Sequence, residues 1–124
     1  MRTILVVDDS PTMRRMIMAS LRDLDVAFDQ AASGLEAIER LAVAPVDLVV
    51  LDLNMPDVHG LEVLRFVRSH ERFSTLPVVV LTTRSDDESR ETALREGATR
   101  YLTKPFSPST LAPQIRDLLA AATS

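Results

Sequence analysis

The sequence predicts an α/β fold in which a five-stranded parallel sheet is doubly wound, with helices on both faces. Three short apolar runs rich in Val, Leu and Ile, together with two weaker strand segments, are separated by segments in which apolar residues recur with helical spacing. Strands that are buried on both faces are continuous apolar runs, and the alternation of strand and helix is typical of a parallel sheet. Four of the five strands are followed by or end in polar or charged residues, so chemistry is expected at one edge of the sheet.

The predicted strands cover residues 3–7, 26–31, 48–51, 78–81 and 100–103. The second is the weakest and is expected near an edge of the sheet. Pro56 follows Asp52 closely and rules out a longer central strand there. Right-handed crossovers favour the flavodoxin-like strand order 2-1-3-4-5, in which strands one and three are neighbours at the switch point, where the chain reverses direction.

Helix boundaries are predicted from capping residues. A Ser that can accept a hydrogen bond from the first turn precedes four of the helices, and two of these have Pro at the first helical position. Gly60 is expected to open the third helix, and Gly97 to end the fourth in the left-handed conformation. Pro113 predicts an irregular first turn or a kink in the last helix. The four N-cap residues are Ser10, Ser33, Ser85 and Ser107.

Composition bounds the possible functions. The chain has 124 residues, which predicts a single domain over 1–124. It contains no cysteine, which excludes disulfides and thiol catalysis, and its net charge of −4 argues against direct nucleic-acid binding. The N-terminal apolar run is too short for a signal peptide or a membrane span, so a cytoplasmic protein is expected. Met1 favours an intact N-terminus, whereas the sequence leaves open whether the native chain continues past Ser124.

The strand order brings five polar side chains to the carboxyl edge of the sheet, the edge at which the parallel strands end. Each alone has an ordinary interpretation as a helix-entry acid, a turn residue or a surface charge. Together they include three carboxylates, whose mutual repulsion costs several kcal/mol at an effective dielectric constant of about 20. One ammonium offsets only part of that charge, so a hard divalent cation such as Mg²⁺ is expected. The five residues are Asp8, Asp9, Asp52, Thr82 and Lys104.

Such a site suits phosphoryl transfer to a carboxylate. Asp52 is the central acid and the expected nucleophile. It would hold the metal together with Asp9, the backbone carbonyl of Asn54, and Asp8, which would bind directly or through water. The Thr82 hydroxyl and the ammonium of the chain's one lysine would hold the transferred group.

Four stretches resemble the receiver domain of two-component response regulators, most closely its single-domain chemotaxis members. The resemblance implies that a sensor histidine kinase or a phosphotransfer protein phosphorylates Asp52, and that Mg²⁺ binds at Asp8 and Asp9. It also implies a cis peptide bond before Pro105, and a signalling protein that catalyses its own phosphorylation and dephosphorylation. The stretches are Leu5–Arg15, Asp52–Gly60, Pro77–Thr83 and Gly97–Phe106.

The resemblance also implies a switch, in which Thr82 turns toward the phosphoryl group and Tyr101 moves inward. An unknown output protein would then bind the face formed by helix four, strand five and helix five, whose shape Pro113 could alter. Asn54 and Arg84 flank the site and are expected to tune the phosphate lifetime. We hypothesise that Arg84, which stands where the enteric chemotaxis member has an acid, hinders the attacking water; a solvated loop arginine is the alternative.

Two other classes of protein are weaker alternatives. A haloacid-dehalogenase-like phosphatase needs an acid at the position of Asn54, and a flavin carrier would have its FMN phosphate repelled by Asp8 and Asp9. Within the receiver class, a stand-alone output protein, a phosphorelay intermediate and a fragment of a multidomain regulator stay open. A monomer or weak dimer is expected, and no membrane partner. The sequence does not name the kinase or the output partner.

Overall fold

The computed structural model describes residues 1–55 and 59–122 and has one five-stranded sheet in which all neighbouring strands are parallel. The order is β2-β1-β3-β4-β5, which confirms the predicted topology, with β1 and β3 adjacent and β2 at an edge. The second strand is one residue shorter than predicted and the fourth one residue longer. The strands are β1 (Thr3–Val7), β2 (Ala27–Ala31), β3 (Leu48–Leu51), β4 (Val78–Thr82) and β5 (Arg100–Thr103).

Within the part of the chain that the structure describes, five α-helices cover the two faces of the sheet. Buried residues of α1 and α5 pack on one face, and those of α2, α3 and α4 pack on the other. Two short 3-10 turns follow α1 and α3, at Arg22–Leu24 and Glu71–Phe73. The α-helices are α1 (Pro11–Ser20), α2 (Gly34–Val43), α3 (Gly60–Ser69), α4 (Asp87–Arg95) and α5 (Pro108–Ala122).

The central strands explain why the core has two halves. Successive side chains of a strand point to opposite faces, so Leu48 and Val50 join the α1/α5 half while Val49 and Leu51 join the other. All four are fully buried or nearly so. Burying such a side chain contributes about 1.5–3 kcal/mol. Because β3 is also the middle strand of the sheet, it is a firmly held base for Asp52, the residue directly after it.

The helix caps confirm most of the predicted boundaries and correct one. Ser10 and Ser33 accept hydrogen bonds from the first turns of α1 and α2. Ser85 was predicted to cap α4, but that prediction is wrong: the cap is Asp86, whose carboxylate accepts from the N–H of Ser89. A carboxylate also suits the positive end of a helix dipole better than a hydroxyl.

The end of α4 and the start of α5 agree with the predictions made from Gly97 and Pro113. Gly97 follows the C-cap residue Glu96 of α4 and has a φ of +112°, and the N–H of Ala98 bonds back to the carbonyl of Ala93, a Schellman ending. In α5 the N–H of Thr110 bonds to the carbonyl of Ser107, three residues back, so the first turn is tightened. The helix continues through Pro113. None of the described helices is long and apolar enough to cross a membrane.

Candidate functional site

The hydrogen-bond ladder of the sheet extends past the strand ends and fixes the backbone of the site. The N–H of Asp8 donates to the carbonyl of Ala31, and the N–H of Asp52 donates to that of Val7. On the other side, the N–H of Lys104 donates to the carbonyl of Thr82 at 2.7 Å. These residues are therefore held as rigidly as the strands they follow, although they lie in connecting segments.

Three carboxylates converge there, as the strand order predicts. One carboxylate oxygen from each of Asp8, Asp9 and Asp52 lies within 4.8 Å of the other two. Asp8 and Asp52 are buried, with exposed fractions of 1% and 6%, whereas Asp9 is exposed to solvent. The cluster thus has two acids inside the protein and one at its mouth, where an ion can enter.

Lys104 lies between the two buried acids. Its Nζ is 2.8 Å from Oδ2 of Asp8 and 3.7 Å from Oδ2 of Asp52. Three ionised carboxylates and one ammonium still leave two negative charges, which a divalent cation would offset. The ligands available are hard oxygen donors, the type that Mg²⁺ prefers. The residues present therefore fit a magnesium ion.

The surroundings of Asp52 make its ionised form costly. Burial is the largest cause and raises the pKa of this carboxyl above its ordinary value. The N–H of Asn54, which donates to Oδ1 at 3.1 Å, and the charge of Lys104 oppose that rise. The neighbouring charges of Asp8 and Asp9 add to it. A bound cation would offset both the cost of ionising this buried carboxyl and the repulsion from the neighbouring carboxylates.

The loop after β4 connects three of the predicted residues. Thr82 is fully buried, and its Oγ1 accepts a hydrogen bond from the N–H of Arg84 at 3.4 Å. Tyr101 is 6% exposed and donates its hydroxyl to the carbonyl of Arg84 at 2.7 Å. Burial, followed by the charge of Asp86, raises the pKa of the Tyr101 phenol. The ring therefore lies inward in this structure and holds the loop that follows Thr82.

The two residues expected to tune the phosphate lifetime contact each other. Nε of Arg84 donates to Oδ1 of Asn54 at 3.0 Å, and Nδ2 of Asn54 lies 3.4 Å from Oγ1 of Thr83. Asn54 also donates its backbone N–H to Asp52. The side chains of Arg84 and Asn54 thus form a bridge beside Asp52, between the loops that follow β3 and β4. The family resemblance indicated the two positions but not this contact.

Gly60 shapes the site in a way that the sequence pattern did not reveal. A Cβ at this position would lie 2.5 Å from Cα of Leu53 and 2.6 Å from the carbonyl oxygen of Asp52. The N–H of Gly60 also donates to the carbonyl of Leu53 at 3.2 Å. The start of α3 therefore packs directly on the backbone at Asp52, which only glycine permits. The sequence marked Gly60 as a helix start, and its position eight residues after Asp52 was the available signal.

Two further sequence expectations concern prolines. The peptide bond between Lys104 and Pro105 is cis, as the family resemblance implies. Pro56, which was predicted to prevent a longer strand, lies outside the described residues.

The fold and the site together define a class of α/β domain that carries an acidic pocket and a lysine at the switch point between β1 and β3. The chain belongs to the response regulator receiver domain family, whose model matches residues 4–116. It is thus a receiver domain of the two-component response regulators. Receiver domains generally bind Mg²⁺ at an acidic pocket, and the three aspartates form such a cluster.

Similar proteins include single-domain and longer regulators. The chain is 40% identical over 120 residues to chemotaxis protein CheY1 of Helicobacter pylori, covering 94% of this chain and 95% of that protein. It is 35% identical to the transcriptional regulatory protein GltR of Pseudomonas aeruginosa, covering 98% of this chain but 50% of that protein. Among solved structures, chemotaxis response regulator CheY4 of Vibrio cholerae has a TM-score of 0.88 at 34% identity, covering 95% of this chain and 98% of that one.

Proposed function

We propose that this receiver domain is a phosphorylation-activated signalling switch that accepts a phosphoryl group on Asp52 in the presence of Mg²⁺. The donor would be a sensor histidine kinase or a phosphotransfer protein. The observation that carries the proposal is a buried carboxylate at the end of the central strand, faced by a lysine and by two further acids.

The metal would be held by Asp9, Asp52, Asp8 directly or through water, and the backbone carbonyl of Asn54. When bound, Mg²⁺ would offset the charge of these carboxylates and of the incoming phosphoryl group. Asp8 is oriented for this role because the N–H of Ser10 donates to its Oδ1 at 2.9 Å and Lys104 donates to its Oδ2.

In the transfer step, a carboxylate oxygen of Asp52 bonds to phosphorus while the bond from phosphorus to the donor nitrogen breaks and its electron pair leaves with the imidazole. Phosphoryl transfer needs mainly positioning and charge stabilisation. The ammonium of Lys104, already 3.7 Å from Asp52, would stabilise negative charge on the phosphoryl oxygens. Thr82 would donate a hydrogen bond from its hydroxyl after releasing the N–H of Arg84. Attack of water on the acyl phosphate would later restore Asp52.

The signal would pass from Thr82 to Tyr101 through the loop between them, since both contact Arg84. Tyr101 also lines a cleft of about 530 Å³ on the face formed by α4, β5 and α5. An unidentified output protein would bind this face. The lining includes Arg90, Leu102, Phe106 and Thr110.

The bridge between Arg84 and Asn54 would set the lifetime of the phosphoryl group. The arginine side chain is held by a hydrogen bond of 3.0 Å to Asn54, the residue whose N–H binds the Asp52 carboxylate, so it would hinder an attacking water from that side. A lifetime longer than that of a receiver with an acid at this position is expected.

We further propose a cytoplasmic protein that is a single domain over residues 1–124, a monomer or weak dimer, and primarily a signalling protein rather than an enzyme acting on other substrates. The alternative, that the chain is the receiver part of a longer regulator, is favoured by its match to half of GltR. A phosphorelay intermediate is the third possibility. A dehalogenase-like phosphatase and a flavin carrier find no support in the family match.

The proposal is tested by intact mass after incubation with acetyl phosphate and Mg²⁺. We expect a gain of one phosphoryl group, which EDTA and the Asp52→Ala variant both abolish. The decay of this species then separates a short-lived output signal from a slower relay. If the folded protein gains no phosphoryl group with Mg²⁺ present, or if Asp52→Ala gains one equally, the proposal is wrong.

A further inference from the structure

Arg14, on the first turn of α1, contacts the backbone of the aspartate cluster formed by Asp8, Asp9 and Asp52. Its Nη1 donates to the backbone carbonyl of Asp8 at 2.6 Å, and its Nε donates to Oε1 of Gln30 on β2 at 3.0 Å. The guanidinium therefore links three elements: α1, the end of β1 and the neighbouring edge strand.

The contact with Arg14 completes the hydrogen bonding of Asp8. This residue is 99% buried, and each of its polar groups has a partner: its N–H bonds to Ala31, its Oδ1 to the N–H of Ser10, its Oδ2 to Lys104 and its carbonyl to Arg14. A buried carbonyl without a partner is costly, so the peptide unit has one favoured orientation.

That peptide unit joins Asp8 to Asp9, so its orientation directs the backbone from which the Asp9 side chain projects. Among residues 1–55 and 59–122, no hydrogen bond or ion pair holds the Asp9 carboxylate itself. Its approach to the other two acids therefore depends on the backbone. Arg14 binds the carbonyl rather than a carboxylate, and so it fixes this backbone without occupying an oxygen that a metal would need.

We propose that Arg14 is a positioning residue that orients the Asp8–Asp9 peptide for Mg²⁺ binding. The inference rests on the proposed function, because it concerns the same aspartate cluster. A guanidinium can donate in two directions from one rigid plane, whereas an ammonium on a flexible stem is not pre-organised to do so. The role therefore requires arginine geometry as well as positive charge.

The test is a titration of the folded protein with Mg²⁺, followed by amide chemical shifts in 15N-labelled samples, together with phosphorylation rates as a function of Mg²⁺. We expect Arg14→Ala and Arg14→Lys to raise the Kd for Mg²⁺ by about tenfold, the lower end of the effect that loss of an outer-shell contact has. At saturating Mg²⁺ the phosphorylation rate should return to near the wild-type value. Gln30→Leu, which leaves the Asp8 contact in place, should raise the Kd less.

Arg15→Ala is the matched control, since Arg15 is an exposed neighbour on α1 whose side chain, among the described residues, donates a hydrogen bond only to Thr12. It should bind Mg²⁺ as the wild type does. Wild-type affinity in Arg14→Ala would overturn the inference while leaving the proposed function intact, and so would full restoration by Arg14→Lys. Absence of Mg²⁺ binding to the wild-type protein would instead overturn the proposed function and this inference together.

Discussion

Charged side chains lie at both edges of the sheet, but the partners that bind them differ in kind. At the amino edge, where the strands begin, Arg68 donates to the carbonyls of Gly97, Phe73 and Leu76 at 2.9, 3.2 and 2.7 Å, and to the hydroxyl of Thr99. At the carboxyl edge, three carboxylates face one ammonium and one another.

The difference separates structure from function. Among the described residues, the guanidinium of Arg68 donates only to neutral oxygens of the chain itself. The amino edge therefore needs no bound ion to stabilise this charge. The acids at the carboxyl edge repel one another, and burial raises the pKa of Asp52, so under the proposed function a bound cation would stabilise that edge. Changes at the carboxyl edge should therefore affect activity first, and changes at the amino edge should affect stability.

The largest effect is expected from Lys104→Arg. A guanidinium is larger than the ammonium that lies between Asp8 and Asp52, so it cannot reproduce both contacts although it keeps the charge. The rate of phosphorylation by acetyl phosphate should fall about 100-fold, as it does when a preorganised charge-stabilising donor is lost. Intact mass over time measures this rate. A variant that is phosphorylated as fast as the wild type would show that only the positive charge matters.

Arg68→Met should lower stability and leave the phosphorylation rate unchanged. Methionine keeps part of the apolar stem but removes the donor from the carbonyls of Gly97 and Leu76, whereas that of Phe73 keeps the N–H of Leu76. We therefore expect the free energy of unfolding to fall by about 2 kcal/mol. The phosphorylation rate should not change. Urea unfolding measures the first quantity. Arg65→Met is the control on the same helix: it breaks only the exposed ion pair with Glu96 and should leave stability nearly unchanged.

Tyr101→Phe tests the single hydrogen bond that holds the loop at the carboxyl edge. Removal of the hydroxyl should lower the free energy of unfolding by about 1 kcal/mol at neutral pH. Burial raises the pKa of this phenol, so the folded protein keeps its proton at a pH where the unfolded chain has lost it. Wild-type stability should therefore fall as pH rises past 10, and the gap between the two proteins should shrink there. A constant gap would contradict this.

Arg84→Glu should have the smallest effect, on the rate of dephosphorylation alone. Loss of the bridge to Asn54 would remove the side chain that is proposed to hinder the attacking water, so decay should accelerate by about threefold, a barrier change of about 0.65 kcal/mol. Loss of the mass gain with time measures it. Arg84→Ala separates steric hindrance from charge, and an unchanged rate in both variants would rule out the lifetime role.

Much of the fold was predictable because its signals are local and repetitive. Apolar runs located β1 and β3 to the residue, β5 was also predicted with its observed bounds, and the strand order followed from right-handed crossovers. The cluster of Asp8, Asp9 and Asp52 followed in turn, because the topology alone brings strand ends together.

The remaining features depend on contacts that no sequence period encodes. The link from Arg14 to the carbonyl of Asp8 depends on the reach of one side chain, and the need for Gly60 depends on how closely α3 approaches the backbone of Asp52. Ser85 and Asp86 are both good capping residues, and only the path of the loop after β4 decides between them.

The most direct test of the contrast between the two edges is the dependence of stability on Mg²⁺ at constant ionic strength. Above its Kd, Mg²⁺ should raise the free energy of unfolding of the wild-type protein by about 1.4 kcal/mol for each tenfold increase in concentration. The Arg68→Met variant should show the same increment from a lower starting value, and Asp52→Asn should show little or none. An equal increment in Asp52→Asn, or none in the wild type, would contradict the assignment of the carboxyl edge as the magnesium site.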